Sequence, residues 1–214
     1  MSKMYEGLRF SSLTADDLLA IAAQPSQELT LGLKAAYSRE EAEALAGQPV
    51  AWSCFCGPRL VACFGIFEGF PGQQGVGWAI LASGIGACHL ELTRFVKSQV
   101  EGCGLARLDV HARAADIEET LAAHPDLDSA QIVTLAMTVP TPECRWAQLL
   151  GLKAAHLLRR FGAAGESVML FELVASTNVR PSASISSLPA RGPEGSEVPK
   201  APVSPAHVSL LEMV

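Results

Sequence analysis

The chain has 214 residues, 49 % of them apolar, with 22 acidic against 16 basic side chains and a formal net charge of −6. That length and apolar share suffice for one ordinary hydrophobic core plus an appendage. No cluster of Lys and Arg runs along any segment, so a phosphate-tracking surface for nucleic acid is not expected. No apolar run approaches the roughly 18 residues a membrane span needs. No apolar stretch follows Lys3, so a signal peptide is not expected either. The cysteines, at 54, 56, 63, 88, 103 and 144, form no CxxC pair and no zinc-like cluster with histidine, so no metal is expected. Most fall in apolar runs, where Cys behaves as a small hydrophobe in a reducing compartment.

In chain order, Leu8-Arg9-Phe10 is a short strand. Thr14 is an N-cap with Asp16 and Asp17 in the first turn, and Pro25 stops that helix. Ser38 and Glu41 form a capping box for a helix to Ala46. Val50–Phe55 and Leu60–Phe67 make a hairpin across Cys56-Gly57-Pro58-Arg59. The loop Gly69–Gly75 leads to a third strand, Val76–Leu81. Ser83 is placed to cap a helix over Ile85–Val100, whose apolar residues Cys88, Leu92, Phe95, Val96 and Val100 recur at three and four. Leu105–Ala112 alternates Leu105, Leu108 and Val110 with Arg107, Asp109 and His111, the pattern of a half-buried strand.

Residues 113–139 read as an insert: Asp116–Ala123 as helix, His124-Pro125-Asp126 as a break, Ile132–Val139 as β-prone. Thr141-Pro142-Glu143 starts a further helix. Trp146, Leu149 and Leu150 form its inward stripe and Gly151 its C′ residue. Two strands follow, Lys153–Phe161 and Ser167–Val174, about the turn 162–165. Elements of this order give an α/β fold, a mixed central sheet with helices on both faces.

Residues 1–175 thus form one domain and 176–214 a tail. Six of the thirteen prolines lie between 176 and 207, among many serines, a composition that cannot form a core. The tail ends in an apolar stretch, with Val208, Leu210, Leu211, Met213 and Val214 as a candidate docking peptide for a partner's sheet edge or groove.

With this order of elements, and Ala147-Gln148-Leu149-Leu150-Gly151-Leu152 as a late helix-to-strand junction, the chain resembles the GNAT superfamily of acetyltransferases over residues 8–174. More narrowly it is similar to small GNAT-like proteins of bacteriophages, among them internal virion proteins of short-tailed phages. The residues carrying this are Gly77-Trp78, Ser83, Arg145-Trp146 and the run from Arg160-Phe161-Gly162 to Leu170-Phe171. The resemblance implies a pyrophosphate site for acetyl-CoA at the helix start Gly84, Ile85, Gly86 and Ala87. Unpaired backbone donors at such a start favour an anion.

The same resemblance exposes gaps. Leu81 stands where the family's motif has Gln or Arg. The strand 75–81 holds no titratable residue where a Glu base is usual. Ala147 replaces a Tyr acid, and Pro140 aligns with a frequent Asn. The substitutes are His111 with Asp109 on its face, His89, and Glu68 beside the Gly69–Gly75 loop; His89 between Cys88 and Leu90 reads as solvent-facing. Cys54 and Cys56 share a strand face and read as packing residues.

The expectation is a virion-associated structural protein on a catalytically degenerate GNAT-like fold. Its tail anchors several copies in a larger assembly, with no cofactor, after synthesis in the host cytoplasm. The alternative is a cytoplasmic N-acetyltransferase using acetyl-CoA.

Overall fold

A computed structural model describes residues 7–24, 27, 37–162 and 165–175. The tail with its docking peptide, Pro25 and two residues of the 162–165 turn lie outside the described residues.

The elements run β1 (Leu8–Ser12), α1 (Ala15–Ala20), α2 (Arg39–Ala46), β2 (Val50–Cys56), β3 (Arg59–Phe70) and β4 (Gln74–Leu81). A 3-10 turn (Gly86–Cys88) opens α3 (His89–Gly102), followed by β5 (Arg107–Arg113), α4 (Glu118–Ala123) and α5 (Ser129–Ala136). The chain closes with α6 (Pro142–Leu149), β6 (Lys153–Leu158) and β7 (Val168–Val174). One seven-stranded sheet has the order β1-β2-β3-β4-β5-β7-β6. Among the described residues its single parallel pair is β4–β5, joined by a crossover through α3. The fold class expected from the sequence is the one observed.

Local chemistry places the helix starts. Thr14 with Asp17, and Ser38 with Glu41, form reciprocal capping boxes. Thr141 caps α6 by accepting from the Cys144 N–H, with Pro142 in the first turn. Gly151 follows α6 at φ +94°, the left-handed conformation that ends a helix without a Cβ clash.

Alternation along β4 divides the core. Trp78 and Ile80 pack with Leu18 of α1 and Leu45 of α2 on one face. Ala79 and Leu81 pack with Leu92, Val96, Trp146 and Leu150 of α3 and α6 on the other. The Trp146 indole N–H donates to Thr93 Oγ1 at 2.9 Å, tying α6 to α3 where both are buried. Gly65 of β3 lies where a side chain does not fit: a Cβ would come within 2.5 Å of the Val50 carbonyl oxygen.

Several sequence expectations are corrected. The β-prone segment Ile132–Val139 is instead helix α5 as far as Ala136, because Asp128 and Gln131 form a capping box ahead of it. Its residues Val133, Ala136 and Met137 then recur at helical spacing toward the core. α1 ends at Ala20, before Pro25. Ser83 caps nothing: α3 proper starts at His89, and its N-cap Cys88 makes no side-chain cap bond. Leu149 is 61 % exposed, and Cys144 and Ala147 take the buried stripe with Trp146. Asp109, expected on the wet side of β5, is buried. It accepts from Arg107 Nε at 2.7 Å and Gln74 Nε2 at 2.9 Å, which offset its desolvation.

Candidate functional site

The parallel strands β4 and β5 pair from Gln74–Arg107 to Gly77–Val110 and no further. β4 nevertheless continues to Leu81 and β5 to Arg113, so the sheet forks at the strands' carboxyl ends. In open α/β sheets that crevice is where ligands bind, because strand ends and helix starts both leave backbone groups unpaired there.

One prong leads into the predicted anion loop. Gly84 and Gly86 sit at φ +75° and +50°, conformations that Cβ-bearing residues adopt at a cost. A Cβ on Gly86 would meet nothing within 4 Å, so the loop stands open on that side. Leu81 is buried in the core and offers no charge. A cation is present all the same: Arg59, at the start of β3, donates through Nη2 to the Gly84 carbonyl at 3.0 Å. No local signal could have found it, since the two residues are 25 apart in sequence. Beside them the Cys56 and Cys88 thiols are in contact, Sγ to Sγ 3.4 Å.

His111 is the first residue of β5 past the last paired position, at the base of the fork. Alternation puts it on the face of Asp109, opposite Leu108 and Val110. Its ring lies 5.3 Å from that of Phe161, and its Nδ1 is buried with no hydrogen-bond partner among the described residues. Burial lowers its pKa, with Asp109 pulling partly the other way, so the imidazole is neutral at pH 7.

The other proposed substitutes are engaged in contacts of their own. Glu68 pairs in register with Gly75, at the opposite end of β4 from Leu81. Its carboxylate accepts from the Gly72 N–H at 2.8 Å and stabilises the β3–β4 turn. His89 is half-buried rather than solvent-facing, 5.6 Å from the Trp146 ring, and desolvation lowers its pKa. Its Nδ1 is 3.3 Å from Thr93 Oγ1, within the α3–α6 contact. Cys54 is fully buried and its thiol is pushed up to about 12, mainly by that burial, which fits a packing role. Ala147 is completely buried, so the position of the usual Tyr holds no proton donor.

The other prong ends at Arg113. Its carbonyl accepts from Thr141 Oγ1 at 2.6 Å and from Cys144 Sγ at 3.4 Å. Its guanidinium pairs with buried Glu143 at 3.3 Å. Among the described residues no three His, Cys, Asp or Glu side chains are grouped to hold a metal, and no helix is long and apolar enough to cross a membrane.

Solved structures share this fold. The aminoglycoside 6'-N-acetyltransferase from Enterococcus faecium superposes with a TM-score of 0.55 at 15 % identity, covering 78 % of this chain and 96 % of that one. Ard1 from Thermoplasma volcanium gives 0.52 at 8 % identity, covering 80 % of this chain and 99 % of that one. The fold is that of the GNAT acetyltransferases. No family model matches the sequence, and no curated protein matches it. At such identities the GNAT likeness fixes the scaffold, and the chemistry must be argued from the fork itself.

Proposed function

We propose that this chain is an acetyl-CoA-dependent N-acetyltransferase acting on an amine of a small molecule or a protein. The carrying observation is the fork beyond Gly77–Val110 with a neutral, half-buried His111 at its base. The residues present fit the cosubstrate. The open glycine loop and Arg59 hold its pyrophosphate, supplying through β3 the cation that Leu81 lacks. The name of the Enterococcus structure, an acetyltransferase, supports the same reading.

Acetyl-CoA supplies an activated acyl thioester. His111 accepts the proton of the incoming ammonium, and Asp109, two residues away on the same face, favours the imidazolium so formed. The neutral amine nitrogen bonds to the acyl carbon and the carbon–sulfur bond breaks; the nitrogen's second proton reaches the departing thiolate through water, and the first leaves the His111 imidazolium for solvent. Ala147 offers no proton. The net charge of −6 favours the approach of a cationic amine.

Calorimetric titration with acetyl-CoA and a thiol-release assay against a panel of amines test this. Arg59→Ala and Gly86→Val weaken binding by tenfold or more, on the order of one lost charged contact. His111→Gln keeps binding and loses turnover. A wild-type chain that binds no acetyl-CoA refutes the proposal.

A second reading has its own observation. β4 carries no titratable side chain and Ala147 is inert, so the fold also suits an interaction module held in an assembly by its tail. That module is favoured if acetyl-CoA does not bind and a large complex is lost on truncation after Val174. Its placement in a phage virion, and the docking of Val208 to Val214 on a partner, draw support from the sequence alone.

A further inference from the structure

The open edge of β4 inside the fork is already occupied by the chain itself. The Ala82 N–H donates to Val61 of β3 at 2.9 Å. By strand alternation, Ala79 and Leu81 therefore turn their backbone groups the other way, into the fork. A buried strand edge with unpaired groups is costly, and here it has partners. The Gln27 side chain donates from Nε2 to the Ala79 carbonyl at 2.9 Å and accepts through Oε1 from the Leu81 N–H at 2.8 Å. The Gln24 N–H donates to the Leu81 carbonyl at 3.0 Å. Gln27 is 1 % exposed, a polar side chain sealed against main chain more than 50 residues away.

One amide that donates to a residue and accepts from the residue two further on does what a single residue of a neighbouring parallel strand does with its own N–H and C=O. Gln27 is in effect a strand of a single amide. An extended ligand carrying amides of its own competes for the same groups, as peptides do when they add to a sheet edge. The arm of coenzyme A between its pyrophosphate and its thiol is such a ligand, a flexible chain with two secondary amides. A pyrophosphate on the loop after Leu81 and a thioester near His111 require that arm to pass along Ala79 and Leu81.

We infer that Gln27 is an autoinhibitory latch: it holds the β4 edge in the free protein, and coenzyme A binds by displacing its amide from Ala79 and Leu81. This rests on the reading of the chain as a binder of acyl-CoA. Two buried hydrogen bonds favour the latched state by roughly 5- to 150-fold, and the apparent affinity for coenzyme A is reduced by that factor.

The test uses the full chain and coenzyme A as the probe. In the free protein the Gln27 side-chain amide protons, followed by nitrogen-15 NMR, exchange slowly. At saturating coenzyme A they lose that protection. Gln27→Ala binds coenzyme A more tightly by roughly 5- to 150-fold in calorimetry. Equal affinity of wild type and Gln27→Ala, with the Gln27 protons still protected in the complex, overturns the latch and leaves the acyl-CoA reading standing. No binding by either protein overturns both. If Gln27→Ala does not fold, the proton exchange of the wild type alone decides: protection retained at saturation overturns the latch, and protection lost supports it.

Discussion

Two glycines of β3 make a matched experiment on the sheet. In Gly65→Ala the added Cβ falls 2.5 Å from the Val50 carbonyl oxygen, 3.1 Å from Trp78 Cζ2 and 3.2 Å from Ala51 Cα. The first and third of these are backbone of β2, held in register with β3 by the Val50–Ile66 and Ala51–Gly65 pairs. They retreat only by opening the ladder, so the cost is at the upper end of overpacking, about 3 kcal/mol. In Gly69→Ala the Cβ meets nothing within 4 Å and φ is ordinary, so the reduced freedom of the unfolded chain stabilises by about 0.5 kcal/mol. The two variants should differ by about 3.5 kcal/mol in urea unfolding, which for a domain of this size corresponds to roughly 7–14 °C in Tm. A difference below about 1 kcal/mol would refute the close approach of β2 to β3, since the chemical change is identical at both sites.

Other expectations follow from burial. Leu92 of α3 is completely buried and Leu90 is 60 % exposed. Leu92→Ala should cost about 2–5 kcal/mol in equilibrium unfolding, and Leu90→Ala less than about 0.5 kcal/mol. His111 has a folded pKa below its unfolded 6.5, so the unfolded state binds more protons as the pH drops. Stability is therefore full above about pH 6.5 and declines below it until the folded pKa is passed. His111→Gln should flatten the fall in Tm between pH 7 and pH 5; an unchanged profile would contradict the burial. The thiols of Cys54 and Cys63 are both pushed up to about 12, chiefly by burial. Iodoacetamide on the native protein at pH 8 should spare both and modify them only after denaturation, as read by peptide mass.

What the sequence determined is what lies within a few residues. The capping boxes at Thr14 and Ser38, the Thr141-Pro142 helix start and Gly151 are local chemistry, and each was readable. So was the glycine pair at 84 and 86, whose positive φ values only the structure supplied. The segment of helix α5 reads as β-prone because the β-branched Ile132 and Val133 outweigh the Asp128–Gln131 cap in a short window. The alternation along β5 ranked Asp109 as exposed because the pattern carries no word of Arg107 and Gln74 closing over it.

Tertiary structure alone decided the site. Arg59 reaches Gly84 across 25 residues, and Gln27 reaches Ala79 and Leu81 across 52 and 54. The fork itself is the absence of pairing between two strands separated by a whole helix. Propensities and caps act through neighbours in sequence, whereas these contacts exist only once the sheet order has brought β3, β4 and β5 side by side.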